Sequence, residues 1–279
     1  MALIATTALA LLVVLCAAAP WIAPGEPTMM NSAERLVPPG ASHWFGTDQF
    51  GRDVLTRILW GGRITLMSGL IGVTIAATLG VLLGLIAVLA GRIVSSVIMR
   101  LIDVVLAFPG LFMTLMVVSI IGAGALQVTV AVGLSFVPHF ARLVYGSALA
   151  AREKEFVAVA TSLGASPIRI ALRHLLPNIG TEVLVLASSV IGWVILTSAA
   201  LNFLGFGVQL PTAEWGTDIS AGRSWIGAAW WISGFPGIMV SLVILATNYI
   251  GDQLAAVVDP QRSTTARLRT VLGQGPLEG

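Results

Sequence analysis

The sequence predicts an all-α polytopic membrane protein with about six transmembrane helices, and three observations carry that prediction. Hydrophobic residues make up 57% of the 279 positions and charged residues only 10%. A soluble domain carries about 25% charge, so water alone is not the solvent for this surface. The apolar residues fall into six runs, near 3–22, 64–90, 98–121, 127–150, 179–204 and 236–258. About 20 apolar residues suffice for one crossing, so a soluble domain with a single anchor is excluded. Finally, arginine and lysine are unevenly shared between the loops that separate these runs.

The first run resembles a secretory leader only in Ala17-Ala18-Ala19, which mimics a small-residue cleavage site. Its apolar run exceeds the usual hydrophobic region of a leader and no basic segment precedes it, so it is read as a retained helix. Cys16, the single cysteine, cannot form an internal disulfide and is read as a small packing or lipid-facing residue. In the following loop Asp48 is placed to cap a short helix, and Asp53 and Arg57 are spaced to pair at i, i+4. Val54, Leu55, Ile58 and Leu59 would lay that helix on the membrane interface.

The second run carries Gly72, Ala76, Gly80 and Gly84 at successive fourth positions. Such a stripe lets another helix approach closely, and packing within the chain is favoured over a moving interface with a partner. Ionisable residues inside a membrane are functional candidates by default. Asp103 is expected to pair with Arg100, three residues away, and Asp252 to anchor a helix end one turn after Asn248. Glu182 is read as a charge at the N-terminus of the fifth span. His139 follows Pro138 in the fourth span, with Arg142 close by, and is a candidate for lining a pathway. Trp215, Trp225, Trp230 and Trp231 suit an aromatic belt at one interface.

Of the 15 Lys and Arg residues, ten lie on one side: Arg92, Arg100, Arg142, Arg152, Lys154, Arg169, Arg173, Arg262, Arg267 and Arg269. The other five are Arg35, Arg52, Arg57, Arg63 and Arg223. The richer side is expected to be cytoplasmic, which puts both termini and the segment 151–178 inside, with loops 23–63 and 205–235 outside.

Segment 151–178 reads as helix, hinge, helix. Phe156, Val159, Ala160 and Leu163 share one apolar face. Glu153 and Glu155 sit at the start, where the helix dipole favours negative charge. Gly164 suits a left-handed C-terminal cap. Ser166-Pro167 restarts a helix whose apolar face is Ile168, Leu172 and Leu175; Pro177 is expected to stop it and Asn178 to cap the next span. On periodicity alone this is equally an interfacial hairpin that only connects two spans.

Several functions are excluded or disfavoured. A net charge of +2 from scattered basic residues gives no nucleic-acid footprint. No G-x-x-x-x-G-K-[ST] phosphate loop is present. One cysteine and three separated histidines make neither a zinc site nor a nucleophile–base pair. An ion-coupled secondary transporter would call for internal repeats, and none is apparent.

The string Ala158-Val159-Ala160-x-x-x-Gly164, followed by Leu176-Pro177-Asn178, resembles the EAA loop of ATP-binding-cassette importer permeases, with Ala158 in place of the glutamate. Glu155, three residues upstream, is the candidate substitute. Further segments are similar to the C-type permease of dipeptide, oligopeptide and nickel importers. They are His43 to Arg57 with Gly46-Thr47-Asp48 and Gly51-Arg52-Asp53, Arg100 to Pro109, Leu204 to Gly216, and Gly251-Asp252-Gln253-Leu254 with Asp259-Pro260.

The resemblance implies a type I ABC importer permease fold in the bacterial cytoplasmic (inner) membrane. Residues 1–63 would form a first helix and extracytoplasmic loop, 64–259 the permease core, and 260–279 a cytoplasmic tail. Implied partners are a second, B-type permease subunit, cytosolic ATP-binding subunits that use the ATP, an extracytoplasmic substrate-binding protein and membrane lipid. The chain itself would bind no cofactor and catalyse nothing. The implied ATPase-coupling residues are Glu155, Phe156, Ala158, Ala160, Leu163, Gly164, Ala165 and Pro177. Glu214, Trp215 and His139 are implied as contacts to the binding protein or gate. The implied cargo is a dipeptide or oligopeptide, with nickel as the alternative.

Overall fold

The computed structural model describes residues 2–23 and 25–258, and every regular element among them is helical. In order these are α1 (Ala2–Ala17), α2 (Ala19–Ile22), α3 (Val54–Leu89), α4 (Arg92–Leu106), α5 (Gly110–Ile121) and α6 (Ala125–Arg152). There follow α7 (Glu155–Ser162), α8 (Pro167–Ile170), α9 (Leu176–Phe203), α10 (Trp215–Gly222) and α11 (Trp231–Val258). The 260–279 tail and Asp259-Pro260 lie outside the described residues.

Among the described residues four helices are long and apolar enough to cross a membrane: Val54–Leu89, Ala125–Arg152, Pro167–Phe203 and Trp231–Ala256. A fifth crossing results if α4 and α5 are counted together, although they meet at 100°. α1 has 16 residues, about 24 Å at 1.5 Å per residue, which falls short of a hydrocarbon core of about 30 Å. The run expected as one straight span at 98–121 is therefore two helices, the first beginning at Arg92. Pro109 causes the break: it has no N–H to continue α4 and instead stands at φ −58°, ψ 129° before the first turn of α5.

α3 and α6 form the central seam, and the small-residue stripe forms it. A Cβ on Gly80 would stand 2.3 Å from Phe140 Cβ and 2.8 Å from the Val137 carbonyl oxygen. One on Gly84 would stand 2.7 Å from Val144 Cβ. The favoured reading of the stripe as packing within the chain describes what is seen. Val73, Ala76, Val132, Phe140, Val194 and Leu201 fill the middle of the bundle around that seam. A second cluster closes the 151–178 end and joins Leu85, Val144 and Ala148 to Val157, Ile170, Leu175 and Ile179. At the opposite end, Cys16 packs with Ile195, Ala199 and Trp215.

Gly80→Leu should therefore cost about 3 kcal/mol, because the contact opposite is backbone and a Cβ that cannot rotate away. Thermal unfolding in detergent checks it, with Gly146→Leu as control, where an added Cβ meets nothing within 4 Å.

Candidate functional site

The 151–178 segment folds as a tight helical hairpin. Glu155 opens α7 next to the positive end of its dipole. Its end is a Schellman cap: the Gly164 N–H donates to Thr161 O at 2.9 Å and the Ala165 N–H to Ala160 O at 3.0 Å. Gly164 stands at φ +79°, a backbone region costly for a residue with a Cβ. Ser166 then caps the next helix, its hydroxyl accepting from the Arg169 N–H at 3.3 Å, with Pro167 in the first turn.

Pro177 does not end that helix. The chain runs on without interruption from Pro167 to Phe203, 37 residues. Residues Ala171–Leu175 form a π-turn, in which the Leu176 N–H reaches back five residues to Ala171 O. The wider turn accommodates the proline ring. Asn178 does not cap a new span; its side-chain amide donates to His174 O at 3.1 Å.

The apolar faces are also divided differently from the periodicity. Val157, Ile170, Ala171 and Leu175 are buried against the ends of α3 and α6 and hold the hairpin down. Ala160 and Ala165 are half-buried. Phe156, Val159, Leu163, Ile168 and Leu172 are exposed, Leu163 by 83% and Val159 by 58%. Phe156 sits beside His174, ring centroids 6.3 Å apart, which ties α7 to the π-turn. The implied coupling residues Glu155, Phe156, Ala158, Leu163, Gly164 and Pro177 thus lie on an open surface. Val157 and Ile170, which anchor it, were missed; both stand off the predicted stripes, inside apolar runs that give them no separate signal.

The charges inside the spans find different partners from those expected. Asp103 pairs with Arg142 of α6, not with Arg100. Glu182 lies well inside the long helix, not at an N-terminus, and accepts a hydrogen bond from the Ser147 hydroxyl of α6. His139 is exposed on α6, its ring 5.4 Å from that of Phe136. His139, Arg142 and Ser147 fall within about 140° of one another round α6 at 100° per residue, Arg142 turned to α4 and Ser147 to the Glu182 side chain.

The far end is built on buried charge. Glu214 is 1% exposed and caps α10: its carboxylate accepts from the Thr217 N–H at 2.8 Å and the Thr65 hydroxyl at 2.9 Å. Trp215 is fully buried and its indole N–H donates to Ile58 O at 2.9 Å. Neither side chain is open to a binding protein; both join the 205–230 loop to α3. Trp231 is likewise interior, donating to Thr47 O at 3.0 Å, so Trp215 and Trp231 do not belong to an aromatic belt.

Asp48 makes an Asx-type turn, accepting from the Phe50 and Arg52 N–H groups at 2.8 and 2.9 Å and pairing with the Arg52 guanidinium. Asp53 caps α3 through the Thr56 N–H and contacts His43 at 2.9 Å, leaving Arg57 to a remote partner, Asp218. Arg57 also donates to the carbonyls of Pro27, Pro211 and Thr212. Burial raises the Glu214 carboxyl above its usual range and pushes that of Asp218 up to about 6 against the pull of Arg57. Burial, then repulsion from Arg57, lowers Arg52.

Comparison with known proteins places this architecture. A solved methionine ABC transporter, MetNI in an inward-facing conformation, contains a chain with the same fold at TM-score 0.56 and 18% identity, covering 71% of this chain and 94% of that one. A putative peptide transport system permease protein of Brucella suis is 41% identical over 91% of this chain and 86% of its own length. The dipeptide transport system permease protein DppC of Alkalihalophilus pseudofirmus is 42% identical, covering 83% and 76%. The probable D,D-dipeptide transport system permease protein DdpC of Escherichia coli is 36% identical, covering 87% and 81%. Residues 76–264 match the family described as "Binding-protein-dependent transport system inner membrane component", and the chain belongs to that family of multi-pass ABC importer permeases.

Proposed function

We propose that this chain is a permease subunit of an ATP-driven importer of short peptides, and that segment 151–178 is where its ATPases dock. One observation carries the docking: the hairpin is braced from below by Val157, Ile170 and Leu175 yet leaves Phe156, Val159, Leu163, Ile168 and Leu172 uncovered. An apolar patch held by a rigid base marks a protein interface. The helix that begins in this hairpin continues to Phe203, so a push on the patch travels the height of the bundle.

In this reading the hairpin and both termini face the cytoplasm, as the ten-to-five arginine and lysine bias favours. The chain has no phosphate loop and takes its energy from ATP-binding subunits. A second permease completes the pathway, and a substrate-binding protein on the other side delivers the cargo. His139, exposed on α6, is the side chain given to that pathway, because lipid is a poor neighbour for an imidazole. Relatives named for peptide and dipeptide transport support peptide over nickel.

The test joins co-purification to uptake. The tagged chain, extracted in mild detergent with its operon partners, should bring an ATPase subunit with it. Gly164→Pro cannot adopt φ +79° and loses the N–H that caps α7. It should insert normally and lose peptide uptake by roughly tenfold or more, about 1.4 kcal/mol of coupling per decade. Unchanged uptake, or no ATPase recovered with the wild type, overturns the docking role.

A further inference from the structure

We infer that α4 is not half of a spanning helix but an amphipathic helix lying in the cytoplasmic headgroup layer, where its arginines hold the phosphate of an anionic phospholipid. The side of the membrane rests on the orientation proposed above; the geometry of the helix does not.

α4 runs across α6 instead of along it. The Ser95 hydroxyl meets the Tyr145 hydroxyl at 3.1 Å, and Asp103 pairs with Arg142. Those contacts span eight residues of α4, about 12 Å, but only three of α6, about 4.5 Å, at 1.5 Å per residue. The 100° turn from α4 into α5 describes the same crossing. Counted from Ala125, Arg142 and Tyr145 lie about 26 and 30 Å down α6, which is the thickness of a hydrocarbon core. α4 is therefore at the inner edge of the apolar layer.

Its three faces suit that depth. Ser95 and Ile102 are buried toward the bundle. Ile93, Val97, Leu101 and Val104 form an exposed aliphatic strip, Ile93 by 81%. Arg92, Ser96 and Arg100 form a polar strip roughly 95° round from it, by the 100° step of a helix. An exposed helix with one aliphatic and one arginine-bearing strip is the form that rests in an interface.

The polar strip closes a cleft of about 570 Å³ between α4 and the ends of α3 and α6. Arg92, Arg100, Arg142 and Arg152 line it against the single carboxylate of Asp103. Arg142 is committed to Asp103, and Arg152 donates to Val88 O at 2.9 Å. Among the described residues Arg92 and Arg100 have neither a hydrogen-bond nor an ion-pair partner. The first turn of α4 also opens here, and its N-cap, Gly91, offers no side chain to the free N–H groups. Two unpaired guanidinium groups and a helix start, beside an aliphatic strip, match a phosphate that carries acyl chains. A soluble anion would leave the strip without a role.

The experiment uses the assembled transporter in nanodiscs of phosphatidylcholine doped with phosphatidylglycerol, and native mass spectrometry to count retained anionic lipid. Arg92→Gln with Arg100→Gln should lower retention roughly tenfold or more, on the scale of phosphate–arginine attraction at a membrane surface. Arg92→Lys with Arg100→Lys, which keeps the charge, should retain it. Equal retention in wild type and the double glutamine variant overturns the proposal. So does displacement of the lipid by inorganic phosphate, which would make the cleft a soluble-anion site. Cross-linking of Ile93→Cys to the second permease would assign the aliphatic strip to protein and overturn it as well. Lipid retention is read without ATP or uptake, and labelling of Arg100→Cys by an impermeant maleimide reports the side separately. A wrong orientation is thus distinguished from a wrong ligand.

Discussion

Leu163→Asp is expected to abolish peptide uptake, by tenfold or more, in a chain that still inserts and melts normally. Leu163 is 83% exposed and ends α7 immediately before the Gly164 cap, so the isolated chain loses no contact when it is replaced. In the assembled transporter the new carboxylate would have to leave water against an apolar partner surface, which costs several kcal/mol when no hydrogen bond compensates. Each 1.4 kcal/mol is a decade of association. Uptake into cells, with the ATPase recovered on the tagged chain as a second readout, measures the effect. Normal uptake together with normal ATPase recovery would mean that the exposed strip meets lipid and that coupling passes elsewhere.

Arg57→Ala should be the most destabilising change at the loop end, by about 3–5 kcal/mol. It would leave Asp218 buried without its cation and strip donors from the Pro27, Pro211 and Thr212 carbonyls. These partners belong to three separate stretches of chain, so the loss should free the 23–53 and 205–230 loops together. A lowered melting temperature and early proteolysis between residues 25 and 53 would show it. A variant as stable as the wild type would mean that Arg57 is balanced by water rather than by the loops.

How much of this was legible in the sequence depends on how local each feature is. The cap at Gly164 and the Ser166-Pro167 restart are set by neighbours within five residues, and the structure has both. The small-residue stripe was legible because a four-residue repeat admits one physical use at a helix face. The apolar stripe of the hairpin was recognised, but the surface it meets was not. Periodicity finds a face without saying whether the surface opposite lies in this chain or another, and the burial fell to Val157, Ile170 and Leu175. Pro177 was read as a stop because a proline ordinarily is one; the π-turn that absorbs it leaves no mark in composition. Pairing failed with distance. Arg57 was given Asp53, four residues away, while its partner Asp218 stands 161 residues on. Asp103 was given Arg100 for the same reason, and Glu214 and Trp215 were taken for surface residues because nothing local signals that α3 covers them.

If ATPases dock on the hairpin as proposed, the unbroken helix from Pro167 to Phe203 sets how large a movement they must make. At 1.5 Å per residue its 37 residues reach about 55 Å. A tilt of about 5° at the hairpin would carry the other tip roughly 5 Å sideways, close to one helix pitch. Such amplification needs no joint along the shaft, and the π-turn lies near the driven end, where bending there wastes little of the stroke. Small angular input and ångström-scale opening at the opposite mouth are then properties of length alone.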